Sequence, residues 1–401
     1  MAITKWKKNL AILWSTQFIG MSAITGMISF LPLYVTVLGI SDASEVAMWS
    51  GILMGSASFC AALSNPYWGA MADRKGRKPM VEKVLLLYGI IITSMAFVAN
   101  VYQLLTLRVL QGLCGGFIAA GTALVISMTP PEQISFTVGM FQTAIIIGGA
   151  VGPVIGGVVA DLYGYRQPFV VFGGLCLLAF VVVHFSVSET YVPSKSVQKT
   201  SLKNTFRDIW SLADLRLMLL VQFLTQFAIQ SIGPILPLYI QTFVSSSNIA
   251  SISGLIIAIG GVTSALASAS MGAVSRRFSH KQILVAASLL GAVSFLGQLA
   301  AADIVTFAIL RGLNGLCIGA MVPSSNTIIS FLIPEEKRGA AYGITSGAGL
   351  MGNVLGPLCA GVLSLAFGIT SIFWLTTILF GLVGSLVALY AKANYTGISK
   401  S

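Results

Sequence analysis

The chain has 401 residues, of which 56% are hydrophobic and only 9% are charged, and its mean hydropathy is +0.90. These values lie outside the range of soluble domains and exclude a soluble reading. The net charge of +11 is explained by loop topology and contact with anionic lipids rather than by a nucleic-acid partner.

Apolar stretches recur along the whole chain, each about 20 residues long and able to cross a hydrocarbon layer of roughly 30 Å as a helix. They predict an all-α membrane protein with twelve transmembrane helices. The predicted spans are 10–37, 48–72, 80–100, 103–127, 135–160, 167–188, 215–244, 249–274, 282–301, 305–333, 340–367 and 372–391.

Basic residues mark every second loop. Twenty of the 23 Lys and Arg residues fall in the two terminal segments and the even-numbered loops, whereas the odd-numbered loops contain Arg166 alone. Because positive residues in short loops stay on the cytoplasmic side during insertion, both termini are predicted to be cytoplasmic.

The second loop contains the sequence GAMADRKGRK at 69–78. Gly69 is expected to permit close helix approach, and Asp73 to pair with Arg77 or to sit against a helix N-terminus. The corresponding sequence of the second half, GAVSRRFSHK, has Ser275 in place of the acid. This second copy is expected to keep the basic residues that set the membrane topology and to lose the contact that Asp73 makes in the first copy.

Arg108 lies within the fourth predicted span, in a pattern with Gln111 and Gly112. A charge at mid-helix costs a few kcal/mol, so Arg108 should face the protein interior and have a polar or acidic partner. Arg311, in the tenth span, follows the same argument.

The fifth span contains GGAVGPVIGG at 148–157. Gly148, Gly152 and Gly156, four residues apart, predict a smooth face for tight helix packing. Pro153 removes a backbone donor and permits bending.

The two halves repeat each other at an offset of 203 to 205 residues. LRVLQGLCGG at 107–116 returns as LRGLNGLCIG at 310–319, and LPLY at 31–34 returns at 236–239. The repeat predicts two pseudo-symmetric six-helix bundles, 1–188 and 215–401, around a central cavity and joined by a cytoplasmic linker at 189–214. Six helices per half relate the bundles by an axis along the membrane normal.

With these motifs on the expected helices, the whole chain resembles the major facilitator superfamily. WKKNL, FLPLY, DRKGRKPM and QSIGPILPLY further resemble its bacterial twelve-helix drug:proton antiporters, of the type associated with fluoroquinolone or fosfomycin resistance. The resemblance implies alternating-access export of amphipathic small molecules, in exchange for protons, across the bacterial cytoplasmic membrane. It implies a conformational latch at Gly69, Asp73, Arg74, Gly76, Arg77 and Lys78, coupling at Arg108 and Arg311, and an antiporter motif at Gly148, Gly152, Pro153, Gly156 and Gly157.

The cavity is expected to be apolar and aromatic with scattered neutral polar groups. Candidate lining residues are Gln17, Met21, Thr25, Gln111, Gln142, Gln226, Gln230, Asn314, Asn326 and Asn353. All twelve acidic residues fall at span ends or in loops, so no central carboxylate accompanies the two arginines. This charge balance favours neutral, zwitterionic or anionic substrates over bare cations.

No metal site, cofactor motif or enzymatic constellation is found, and a P-loop is absent. We expect a monomer in contact with membrane lipids. Two alternatives stay open. The first is a dedicated exporter of one metabolite, such as a metallophore, siderophore or sugar derivative, and the second is a nontransporting receptor or lipid scramblase on the same scaffold.

Overall fold

The structure is a computed structural model that describes residues 2–189, 213–244, 248–333 and 338–391, and it contains no β-strand in these ranges. Short 3₁₀ segments lie at Met27–Ser29 and Pro131–Gln133. The α-helices, in chain order, are α1 Ala2–Gly26, α2 Leu31–Val37, α3 Ala43–Lys75, α4 Lys78–Met95, α5 Val101–Leu113, α6 Phe117–Ser127, α7 Ile134–Tyr163, α8 Gln167–Ser186, α9 Ala213–Ser231, α10 Leu236–Ile240, α11 Ile249–Val274, α12 His280–Leu299, α13 Ile304–Leu332, α14 Arg338–Phe367 and α15 Ser371–Tyr390.

Every one of the twelve predicted spans falls on helices, and ten helical segments of the described chain are long and apolar enough to cross a membrane. The other two predicted spans correspond to α4 and α9. Both of these helices have charged residues near their first turns, which lowers their mean hydropathy. The all-α membrane fold predicted from the sequence is confirmed.

Two equivalent helices of the repeats, α5 and α13, are each capped at the N-terminus by the side chain of the preceding residue. Asn100 caps α5 by accepting a hydrogen bond from the Gln103 amide at 3.0 Å. Asp303 caps α13 by accepting hydrogen bonds from the Val305 and Thr306 amides, each at 2.9 Å. Such caps satisfy amides that have no partner inside the helix.

The repeated LPLY sequences occupy equivalent positions in the core. Tyr34 donates a hydrogen bond to the Met95 carbonyl at 2.8 Å, and Tyr239 donates one to the Gln298 carbonyl at 3.2 Å. Tyr34 also packs on Phe169, with ring centroids 4.9 Å apart. The internal repeat therefore extends to the hydrogen bonds of individual side chains.

The described chain divides into two compact units. Unit one comprises the described residues within 1–42, 52–197 and 246–258, and in it α1 packs along α7 and α4 packs along α8. Unit two comprises those within 43–51, 198–245 and 259–401, where α9 packs along α14 and α12 packs along α13 and α15. The predicted division at 1–188, 189–214 and 215–401 stays a prediction, and most of its linker lies outside the described residues.

Candidate transport site

Arg108 is buried in unit one and is held by a neighbour on its own helix. Its side chain is 6% exposed, and its Nη1 donates a hydrogen bond to Gln111 Oε1 at 3.0 Å. Met27 Sδ lies 3.6 Å from the same nitrogen, while Arg108 Nε has no partner. The structure therefore supplies the polar partner that the sequence predicted, and no described carboxylate forms an ion pair with this arginine.

The helix that carries Arg108 ends sooner than the sequence indicates. The predicted span 103–127 consists of two helices, α5 and α6, separated at 114–116. Gly116 has φ +94°, a conformation that a side chain would strain. Trp68 Nε1 donates to the Leu113 carbonyl at 2.7 Å, and the Gly112 carbonyl accepts from Ser64 Oγ at 3.0 Å and from the Gly115 amide at 3.1 Å. These bonds satisfy the backbone at the break.

Arg311 lies at the equivalent place in unit two, on the continuous helix α13. The side chain is partly exposed, but its Nη1 is buried without a hydrogen-bond partner. Asn314, three residues further on, is 0% exposed, and both its Nδ2 and its Oδ1 lack partners. The second arginine thus has the same position as Arg108 and lacks the contact that holds it.

The sequence motif at 69–78 forms the junction of α3 and α4. Gly76, with φ +96°, makes the turn between these helices. The structure describes the backbone of Asp73 but not its side chain. Among the described residues no heavy atom lies within 4 Å of a Cβ placed on Gly69, and the close helix approach expected there stays a prediction.

Glu189 is a site residue that the sequence reading missed. Its carboxylate accepts hydrogen bonds from the Arg77 amide at 3.0 and 3.1 Å and from the Lys78 amide at 2.8 Å. A carboxylate is favoured at a helix N-terminus, here that of α4. In the same cluster Glu82 Oε1 lies 3.3 Å from Lys78 Nζ and 3.4 Å from His184 Nδ1. The only sequence signal for this contact was an acid directly after an apolar span.

The glycines of the fifth span form the packing face of α7 in unit one. A Cβ at Gly148 would meet the Phe18 carbonyl oxygen and Met21 Cβ, and one at Gly152 would meet the Ser22 backbone and Thr25 Oγ1. Met21 and Thr25, both nominated as cavity residues, therefore lie on the α1 face that contacts α7. Thr25 Oγ1 also donates to the Gly148 carbonyl at 3.3 Å.

The end of α7 makes a second close contact, with the first turns of α11. A Cβ at Gly157 would collide with the Ala250 carbonyl, and one at Gly254 would collide with the Pro153 carbonyl. Asp161 continues this contact by accepting hydrogen bonds from the Ala250 amide at 3.2 Å and the Ser251 amide at 2.7 Å. Asp161 therefore caps α11 across 89 residues of chain.

Unit two repeats this arrangement. Gly352 and Gly356 pack against α9 beside Gln226, Phe227 and Gln230, and a Cβ at Gly361 would lie 2.9 Å from the Met48 backbone. A Cβ at Gly51 would meet the Pro357 carbonyl, as one at Gly254 meets that of Pro153. The position equivalent to Asp161 is Leu365, which has no group that can cap a helix.

The remaining nominated residues differ in exposure. Gln17 is 1% exposed, and its Nε2 has no partner. Gln142 is exposed, Asn326 is half-buried, and Asn353 is half-buried with a partnerless Oδ1. All five cysteines are free, and the described residues contain no group of three or more His, Cys, Asp or Glu side chains that would suit a metal ion.

Long apolar helices, an internal repeat and buried charges inside spans together define a polytopic membrane transporter, and comparison with known proteins gives its family. The profile of the Major Facilitator Superfamily matches residues 13–252 and 218–401. The chain belongs to this superfamily of transporters and is not an enzyme.

Two curated relatives and one solved structure illustrate the similarity. The chain is 31% identical to the multidrug resistance protein MdtG of Rahnella sp. over 92% of its own length and 90% of that protein. It is 31% identical to the multi-drug resistance efflux pump PmrA of Streptococcus pneumoniae over 94% of both chains. The fold matches a bacterial homologue of the human lysosomal transporter Spinster with a TM-score of 0.81 at 14% identity, covering 96% of this chain and 97% of that one.

Proposed function

We propose that this protein is a secondary transporter of the bacterial cytoplasmic membrane, which exports amphipathic small molecules, including drugs, in exchange for protons. The observation that carries the proposal is its similarity to relatives named as multidrug resistance and efflux proteins, over at least nine-tenths of both chains. The loop charges support a topology with both termini in the cytoplasm, and in this proposal 1–188 and 215–401 act as the two moving halves.

The junction of α3 and α4 acts as the conformational latch in this proposal. Glu189 supports that role because it fixes the start of α4 through the Arg77 and Lys78 amides. The basic side chains of the junction therefore project from a helix end of fixed position. The latch comprises Gly69, Asp73, Arg74, Gly76, Arg77 and Lys78.

Proton coupling is assigned to Arg108 and Arg311 in our proposal. The described acidic residues lie at helix ends or outside the helices, as Glu82, Asp161 and Asp303 illustrate. In this proposal the exchanged proton binds to a carboxylate at a membrane boundary. Arg108 and Arg311 contribute to coupling through their positive charge, which the transported molecule must balance. The glycine face of α7 supports the antiporter motif, since its backbone contacts allow neighbouring helices to slide without side-chain rearrangement.

A direct test uses purified protein in sealed vesicles that contain a pH-sensitive dye, with no imposed gradient. Addition of cationic, zwitterionic and anionic amphiphiles should move protons for at least one class. Arg108→Ala should abolish this movement. Arg166→Ala should not, because Arg166 lies in a loop outside the predicted spans, where its Nη2 donates to the Val98 carbonyl at 3.4 Å.

Other results of the vesicle experiment would assign a different function to the protein. Compound movement without proton movement would replace antiport by uniport or by another coupling ion. Transport of a single acidic metabolite, with no movement of the amphiphiles, would favour the dedicated exporter of a metallophore, siderophore or sugar derivative. The absence of any transported compound would favour a receptor.

A further inference from the structure

The two repeats place an arginine at the same position and give it different neighbours. In unit one Gln111 reaches Arg108 across one helical turn, with its Oε1 at 3.0 Å from Nη1. In unit two the corresponding residue is Asn314, whose side chain is one methylene shorter. Asn314 does not reach Arg311, and the Arg311 Nη1 and both polar atoms of the amide remain unbonded.

No carboxylate of the described chain neutralises Arg311. The acid on the same helix is Asp303, about 12 Å away along the axis, and its oxygens bond the start of α13 and the Thr306 hydroxyl. Buried polar groups in folded proteins almost always have a partner, and an orphaned one indicates a bound water, ion or ligand group. Arg311 and Asn314 present three such atoms on adjacent turns.

The backbone around this pair is held in place on both sides. Gly315 and Gly319 pack directly on the α11 backbone at Gly260 and Ser264, where a Cβ would collide. On the other side Ser294 Oγ of α12 donates to the Leu310 carbonyl at 2.7 Å. Gly260 faces the guanidinium with no side chain, and a Cβ there would be 3.9 Å from Arg311 Nε.

We propose that Arg311 and Asn314 form a binding site for an anionic group, and specifically for the carboxylate of a transported zwitterion or acid. The inference rests on the proposed export function and names its substrate class. Arg311 Nη1 and Asn314 Nδ2 donate to the carboxylate, and Asn314 Oδ1 accepts from a hydroxyl, amine or water next to it. At Arg108 the corresponding Nη1 is already bonded to Gln111, which leaves Nε as its buried partnerless atom and no free amide beside it.

The test replaces Asn314 by the residue of the other repeat. Asn314→Gln should let the longer amide bond Arg311, as Gln111 bonds Arg108, and thereby occupy the site from within. The probes are norfloxacin, a fluorescent zwitterion with a carboxylate, and its ethyl ester, which lacks that charge. In vesicles Asn314→Gln should raise the KM for norfloxacin about tenfold or more and leave the KM for the ester within about twofold, where tenfold corresponds to about 1.4 kcal/mol.

Ser324→Ala is the matched control. It removes another fully buried and partnerless polar atom from α13, about 15 Å from Asn314 along the helix. The ratio of the two KM values should stay that of the wild type. Asn314→Ala provides a second variant if Asn314→Gln does not fold, and it should lower the preference for norfloxacin without adding a group that blocks the site.

An inorganic anion has the same chemistry as a carboxylate, so chloride is tested in a separate arm by replacement with gluconate. If chloride fills the site, its removal should lower the KM for norfloxacin in the wild type and have no effect in Asn314→Gln. If only the substrate carboxylate fills it, chloride should have no effect in either protein. The first result identifies chloride as an occupant of the site. The second assigns the site to the substrate carboxylate when Asn314→Gln also raises the KM for norfloxacin.

Two results would overturn the proposal. Equal losses for norfloxacin and the ester would make Asn314 a structural residue, and an unchanged KM for both would leave the pair with no role in binding. Equilibrium binding of both probes to purified protein in detergent separates these results from failure of the export function. A wild-type protein that prefers norfloxacin to its ester in binding but moves neither keeps the anion site and loses the exporter.

Discussion

The ends of α7 and α14 pack in the same way but are anchored differently. Each helix has a proline followed four residues later by a glycine, and each glycine contacts the backbone of a helix that starts in another part of the chain. In unit one Asp161 then caps the start of α11, whereas Leu365 occupies that position in unit two. Duplication has conserved the backbone contact, whereas the aspartate that caps α11 has no counterpart at position 365.

The same divergence occurs at three other paired positions. Gln111 is paired with Asn314, Asn100 with Asp303, and Gly115 with Ile318. The first exchange removes the bond to the arginine, and the second keeps the helix cap but adds a charge. The third lies where the unit-one helix breaks at 114–116, whereas α13 is continuous. The repeats therefore share an architecture and differ in the chemistry of single residues, which makes each residue testable against its counterpart.

The largest effect is expected at the glycine contacts. Gly157→Ala should destabilise the protein by about 2–3 kcal/mol, because the new methyl group collides with the Ala250 carbonyl. Gly361→Ala should cost about 1 kcal/mol, since its methyl group meets Met48 at 2.9 Å and needs a smaller shift. Thermal unfolding of both variants in detergent measures the difference, and equal losses would show that the two contacts are mechanically alike.

The next effect is expected at the first arginine. Gln111→Asn converts the unit-one pair into that of unit two and removes the hydrogen bond to Arg108 Nη1. Loss of a bond to a buried charge should destabilise the fold by about 1–3 kcal/mol. Asn314→Gln should shift stability the other way. Chemical unfolding of both variants checks the signs, and destabilisation by both would contradict the assignment of Asn314 as an unsatisfied amide.

A smaller effect is expected at the anchor of unit one. Asp161→Asn keeps the shape of the cap and removes its charge, which should cost about 1 kcal/mol at the N-terminus of α11. Ser251→Cys should then react faster with a maleimide in the Asp161→Asn background than with Asp161 present, because its amide loses the 2.7 Å bond. An unchanged reaction rate would indicate that the backbone packing alone holds this helix end.

The smallest effect concerns the paired helix caps and depends on pH. Hydrogen bonds from Thr306 and Val305 lower the pKa of Asp303 below its usual value of 3.8. A carboxyl whose folded pKa is depressed stabilises the protein above its unfolded pKa, and the stabilisation is lost as pH falls through the folded value. Acidification below about pH 4 should therefore weaken the α13 cap, whereas the Asn100 cap of α5 does not titrate.

Hydrogen exchange at the Val305 and Gln103 amides, compared between pH 5 and pH 3 after correction for intrinsic rates, follows the two caps. Protection at Val305 should fall, and protection at Gln103 should persist. Asn100→Asp should transfer the acid sensitivity to α5. If both wild-type caps lose protection together, the protein unfolds globally in this pH range, and the loss does not report on protonation of Asp303.

The sequence predicted where the helices lie and that they repeat, since hydropathy reports burial in lipid along the whole chain. It also predicted a polar partner for Arg108. It did not predict the capping of α11 by Asp161 or of α4 by Glu189, because each contact joins residues about 90 or more positions apart. It missed the break at Gly116, since hydropathy does not register a backbone turn inside an apolar stretch.

The contact between Gly157 and Ala250 involves main-chain atoms on the α11 side. The side chain at position 250 can therefore change without altering this contact, whereas a side chain at Gly157 or Gly254 would collide with the facing backbone. Among orthologues aligned to this chain, positions 157 and 254 should remain glycine while 250 and 251 vary. Changes of substrate preference elsewhere in the protein would then leave the contact between α7 and α11 untouched, so that specificity and this helix packing evolve separately.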